Sequence, residues 1–195
     1  MAIVIDPRTD ALIVVDVQRD FCPGGALAVP RGDEVVPVVN RLLALTDWLA
    51  VATRDWHPVD HCSFTAYGGT WPPHCVAGTE GASFHPDLDE TRIRRVVSKA
   101  TTRDAEAYSG FQGTDLAAAL AARGVRRVFV CGLATDYCVK ATALDARRAG
   151  FEVGVIDDGV RGVEVRPGDC GQAIDEMKAA GILLVAASAV AAPQG

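Results

Sequence analysis

Six short runs of apolar, mostly β-branched residues recur along this 195-residue chain, separated by stretches with helical periodicity. The first run, Ala11 to Val17 (Ala-Leu-Ile-Val-Val-Asp-Val), reads as a strand buried on both faces. Val35, Val36, Val39, Leu42 and Leu43 then recur at helical spacing within 33–45. Further strands are expected over 48–53, 93–98, 127–131, 151–156 and 182–186. Helices are expected over 114–123, 135–149 and 168–180, with Gly124, Gly150 and Gly181 just past their ends. Thr135 or Asp136 stands at the N-cap of the middle one. Strand followed by helix, repeated, predicts an α/β fold: a doubly wound, mostly parallel six-stranded sheet with helices on both faces, a Rossmann-like three-layer sandwich. The length suits one domain, 1–195. The alanine-rich tail after Val185 looks weakly specified.

Composition narrows the function classes. Hydrophobic residues make up 49% and charged residues 23%, as in a soluble globular protein. The net charge is −6 and no basic run occurs, which argues against a nucleic-acid partner. The longest apolar stretch, 182–192, is too short to span a bilayer, and the first residues lack the order of a signal peptide. Cysteines at 22, 62, 75, 131, 138 and 170 form no Cys-x-x-Cys pair. They read as reduced thiols in a cytoplasmic protein.

A long loop, about 54–91, interrupts the alternation and holds all four histidines, three of them within 57–74. Loops of this length inside a domain are commonly functional. Asp55-x-His57-x-x-x-His61, with His74 following, supplies four side chains suited to one divalent metal ion. Imidazole and carboxylate favour zinc, with iron and manganese behind it, over calcium or magnesium.

Parallel sheets bind ligands beyond the carboxyl ends of their strands. Asp16, Asp55, His57, Lys99 and the segment 132–138 all fall there. Cys138, at a helix start and near a lysine, is a candidate nucleophile whose surroundings favour thiolate. By position alone it reads equally well as a structural cysteine. Asp16, set among Val14, Val15 and Val17, is expected to have a raised pKa and to suit a general base. Lys99 would hold it in place. Phe21, Trp71 and Tyr108, on loops near the same rim, would favour a flat ring as substrate. A non-catalytic metal-binding protein would explain the histidines but not Asp16, Lys99 and Cys138.

Several motifs in order carry a resemblance. They are Asp16-Val-Gln-Arg-Asp-Phe21, Thr53-Arg-Asp-Trp-His-Pro-Val-Asp-His61, Trp71-Pro-Pro-His-Cys-Val-Ala-Gly-Thr-Glu-Gly81, Lys99, Tyr108-Ser-Gly-Phe111 and Gly132-Leu-Ala-Thr-Asp-Tyr-Cys-Val139. From Ala11 to about Val185 the chain resembles the isochorismatase-like cysteine hydrolase family, in particular its nicotinamide-hydrolysing members. The resemblance implies a triad of Asp16, Lys99 and Cys138. It implies a metal held by Asp55, His57, His61 and His74, with water completing the shell. It implies a cis peptide at Leu133–Ala134, an oxyanion received by the N–H groups of Ala134 and Cys138, and a ring pocket of Phe21, Leu27, Trp71, Tyr108, Leu133, Ala134 and Tyr137. The implied activity converts nicotinamide to nicotinic acid and ammonia through a cysteine thioester, with pyrazinamide as a second substrate. Two positions depart from the family pattern: Ala100 stands where glycine is usual and Tyr137 where histidine is frequent. The closer alternative is a related cysteine amidase acting on another small amide.

Overall fold

Alternation along the strands sets the layers. In a computed structural model describing residues 2–193, the first strands are β1 (Ile3–Val4) and β2 (Asp10–Val15). Ala11, Ile13 and Val15 of β2 join one apolar cluster, and Leu12 and Val14 join another on the opposite face. Helix α1 (Val35–Ala44) covers the Leu12 face through Val35, Val36, Val39, Leu42 and Leu43. Strands β3 (Leu49–Asp55) and β4 (Arg95–Lys99) follow. The chain between them contains two short 3-10 turns, Thr65–Tyr67 and Glu90–Arg92. Cys75, Ala82, Phe84 and Leu88 from this segment join the α1 layer, so the loop fills space that a crossover helix would occupy.

The second half builds the other face. Helix α2 (Leu116–Ala122) leads to β5 (Arg127–Leu133), α3 (Lys140–Arg148), β6 (Glu152–Arg161), α4 (Asp169–Ala179) and β7 (Leu183–Val185). Leu116 and Leu120 of α2, Ala143 and Ala146 of α3, and Met177 of α4 pack with the Ile13 cluster. The six-stranded sheet has the order β4-β3-β2-β5-β6-β7, and every pairing in it is parallel. The expected doubly wound sheet with helices on both faces is therefore present. The strand order reverses between β2 and β5, the switch point where such sheets bind ligands.

Three local expectations change. The tail after Val185 is specified: β8 (Val190–Ala191) pairs in parallel with β1, and Ile5 donates from its N–H to the Ala191 carbonyl. Ile5 and Val190 are both buried. Strand β6 runs ten residues instead of six, and its register against β5 shifts between Val130 and Gly132. Gly132 has φ 111°, and a Cβ there would lie 2.1 Å from the Val15 carbonyl oxygen, so no other residue fits. The helix expected over 135–149 begins with a π-turn, Thr135–Val139, and neither Thr135 nor Asp136 caps it through its side chain. None of the helices among the described residues is long and apolar enough to cross a membrane.

Candidate active site

Three strand ends and one π-turn deliver the reactive groups. Asp16 follows β2 in a left-handed conformation, φ 48°, and is fully buried. Its Oδ1 accepts a 2.7 Å hydrogen bond from Thr53 Oγ1 on β3. Lys99, the last residue of β4, lies with its ammonium 3.0 Å from Asp16 Oδ2. It also bonds Asp55 Oδ1, donates to the Ala107 carbonyl at 3.2 Å and stands 3.4 Å from Cys138 Sγ. One cation thus touches both carboxylates and the thiol. Oxygen atoms of Asp16 and Asp55 and the Cys138 sulfur all lie within 4.8 Å of one another.

Burial decides the protonation of this cluster. Desolvation pushes the Asp16 carboxyl above its ordinary range, against the pull of Lys99 and with the push of Asp55. Asp55 moves the other way: burial opposes its charge, but Lys99 and His57 together hold it below the usual carboxylate range. Lys99 stays charged, because Asp16, Asp55 and Cys138 outweigh the cost of its burial. Burial also drives the Cys138 thiol well above its ordinary value, and the two carboxylates add to this while Lys99 opposes it. The expectation of a ready thiolate at the helix start is therefore corrected. The sulfur rests as a thiol beside a carboxylate whose proton affinity is raised, which suits transfer on demand.

Next to this cluster, Asp55, His57 and His74 each offer a ligand atom within 4.8 Å of the others, and all three are buried. His57 Nδ1 lies 3.3 Å from the Ala100 carbonyl, which leaves Nε2 buried without a hydrogen-bond partner and 3.6 Å from Asp55 Oδ2. His74 Nδ1 bonds the Pro72 carbonyl at 2.7 Å, leaving its Nε2 bare. Burial lowers the His74 pKa, which keeps the ring neutral as ligation requires. An orphaned imidazole nitrogen, a charged carboxylate and a second bare imidazole fit a divalent cation. His61 does not join them. Its ring lies 4.2 Å from that of His57, tilted by 34°, but its nitrogens meet Ser63 Oγ at 2.8 Å and the Ala105 carbonyl at 3.2 Å.

Above both clusters lies a narrow pocket lined by Phe21, Leu27, Trp71, Tyr108, Ala134, Tyr137, Cys138, Asp55, His57 and His74. Trp71 donates to Tyr108 Oη at 3.1 Å, and Tyr137 packs 5.1 Å from Trp71 and 5.6 Å from Tyr108. These coupled rings suit a flat substrate. Of the expected lining residues only Leu133 is elsewhere. It is fully buried in the core, with Cδ1 3.3 Å from where a Cβ of Gly32 would stand. The Leu133–Ala134 peptide is cis, as expected. Ala100 has φ 50°, a left-handed conformation that accounts for the usual glycine there.

Other contributors carried no usable local signal. Gln18 is fully buried and clamps Asp55, accepting from its N–H at 2.8 Å and donating to its carbonyl at 2.8 Å. Phe64 packs its ring 5.5, 5.8 and 5.6 Å from those of His57, His61 and His74. Glu106 and Val163 also line the pocket. A buried glutamine or phenylalanine reads as ordinary core until its partners are known.

A parallel sheet with an acid and a cysteine at its switch point, and a lysine reaching them from the end of β4, defines a class of cysteine hydrolase. Residues 10–188 match the Isochorismatase domain family, and the chain belongs to that family. It is 43% identical over 201 residues to the nicotinamidase of Escherichia coli, covering 89% of this chain and 93% of that one. The structure of PnC1 from L. infantum in complex with nicotinate superposes with a TM-score of 0.95 at 41% identity, covering 99% of this chain and all of the other. The pyrazinamidase of Pyrococcus horikoshii in complex with zinc gives 0.84 at 55% identity, covering 91% and 98%.

Proposed function

We propose that this protein is a nicotinamidase, hydrolysing nicotinamide to nicotinic acid and ammonia through a thioester on Cys138. The observation that carries this reading is one pocket in which Cys138, the Trp71–Tyr108–Tyr137 rings and the Asp55–His57–His74 cluster face the same space.

The ring of the substrate lies among the aromatic side chains, with its carboxamide toward Cys138. Asp16 accepts the thiol proton as the sulfur attacks the carboxamide carbon. The new C–S bond forms as the carbonyl π pair moves onto oxygen, which the N–H groups of Ala134 and Cys138 receive. Asp16 passes its proton to the amide nitrogen. The C–N bond breaks and ammonia leaves. Water then attacks the thioester, losing a proton to Asp16, and collapse returns the thiol and nicotinic acid. Lys99 keeps both carboxylates in place throughout. Asp55, His57 and His74 would hold a divalent ion, zinc by the nature of its donors, whose contribution is a Lewis-acid contact for the ring nitrogen. His61 would become a fourth ligand only on releasing Ser63 or the Ala105 carbonyl.

The same geometry accepts pyrazinamide, whose pyrazine ring has the size and flatness of the pyridine ring and carries the same carboxamide. The six unpaired thiols fit a reducing, cytoplasmic setting, and the chain fits one domain. Ammonia release from a panel of aromatic and aliphatic amides, with metal content measured on the same sample, tests the reading. Turnover confined to aliphatic amides, or none by metal-replete protein, would overturn it.

A further inference from the structure

Asp136 holds a distant segment instead of capping its own helix. Its Oδ1 accepts the Val163 N–H at 3.0 Å and its Oδ2 accepts the Glu164 N–H at 2.8 Å. The carboxylate is buried, at 7% exposure. The chain beyond β6 approaches it closely: a Cβ at Gly162 would stand 2.0 Å from Cys170 Sγ and 3.0 Å from Asp136 Oδ1. Glu164 turns the chain with φ 53°. Two successive N–H groups aimed at one carboxylate give charge-assisted bonds that fix a segment's position.

That segment ends at the substrate. Val163 lines the pocket with Ala134 and Cys138 and, like Leu27, packs against the cluster containing Phe21. Asp136 itself lies two residues before Cys138, on the same π-turn. The nucleophile and an apolar wall are thus carried by one rigid piece, although they are 25 residues apart in sequence.

We propose that Asp136 is a positioning residue that latches Val163 against the substrate ring and so sets ring binding in this pocket. The proposal rests on the pocket being the aromatic amide site described above. Releasing the latch acts on binding more than on chemistry, because the side chains of Asp16, Lys99 and Cys138 bond Thr53, Asp55, the Ala107 carbonyl and one another rather than the 162–164 segment.

Steady-state kinetics of holoenzyme with nicotinamide test this, with kcat expressed per titratable Cys138. Asp136→Ala should raise KM about tenfold or more, the factor expected for losing a charged hydrogen-bond pair. Asp136→Asn, which keeps the shape and one acceptor, should fall between. Val163→Ala should raise KM in the same direction, and Asp136→Asn added to it should raise KM little further, since the wall is already gone. A substrate-free readout is the rate at which a bulky maleimide labels Cys138 relative to iodoacetamide. This ratio should rise in both single variants. If Asp136→Ala does not fold, Asp136→Asn and Val163→Ala decide the matter. Unchanged KM and labelling ratio in folded Asp136→Asn, or full additivity with Val163→Ala, would overturn the latch. A raised labelling ratio in protein that hydrolyses no aromatic amide would support the latch while removing the nicotinamidase reading.

Discussion

The Lys99 ammonium lies 3.4 Å from the Cys138 sulfur, with both side chains buried, and the same ammonium bridges Asp16 and Asp55. Taking that cation away leaves two buried carboxylates facing each other. Breaking a buried ion pair from one side costs about 3–5 kcal/mol. Lys99→Met should therefore lower the denaturant midpoint substantially as well as abolish ammonia release. A variant as stable as the wild type would show that the carboxylates do not depend on Lys99.

Asp16→Asn keeps the Thr53 contact but cannot accept the thiol proton. General acid–base groups contribute about 10²–10⁴-fold, and kcat should fall by that order while nicotinamide still binds. The base works only when ionised, and burial raises its pKa. The acid limb of the wild-type kcat/KM profile should accordingly lie above the ordinary carboxylate value of 3.8. An acid limb at or below that value, or retained kcat in Asp16→Asn, would remove Asp16 from the mechanism.

The metal ligands should not be equal. His57 and His74 each present a bare nitrogen, whereas both His61 nitrogens are engaged. His61→Ala should weaken metal binding about 10–100-fold, as loss of an outer partner does. His57→Ala and His74→Ala should weaken it further. Metal titration with elemental analysis distinguishes these cases, and equal losses in all three would make His61 a full ligand. Chelation should lower nicotinamide turnover before it lowers Tm, because the sheet does not depend on the 56–94 segment for its pairings.

Alkaline conditions should destabilise the fold. Burial raises the Cys22 thiol from 9.0 to about 11, and raises Cys170 to about 12. Cys75 and Cys131 move up for the same reason. A folded pKa above the unfolded one stabilises fully below pH 9 and is lost as pH rises through 11 and 12. Tm should thus decline above pH 9, and less steeply in Cys22→Ala. A slope identical in that variant would assign the decline to other groups.

Sequence alone determined the strand and helix order, because burial on both faces demands continuous apolar runs and one-faced helices demand a 3.6-residue repeat. It also placed Asp16, Asp55, His57, Lys99 and Cys138 at one rim, since a parallel sheet brings its strand ends together. The tertiary structure decided what no local pattern encodes. Pairing of Ile3–Val4 with Val190–Ala191 joins the two ends of the chain, and so is invisible to any short window. His61 belongs to the histidine cluster by spacing, yet Ser63 and Ala105 claim its nitrogens. Leu133 matches a pocket position, yet its side chain enters the core. Asp136 sits at a helix start, yet its partners are 27 and 28 residues away. Cys138 lies near a lysine, yet burial and two carboxylates outweigh that charge. Spacing brings residue types together, but the direction of a side chain and the water removed from around it arise only when distant segments pack.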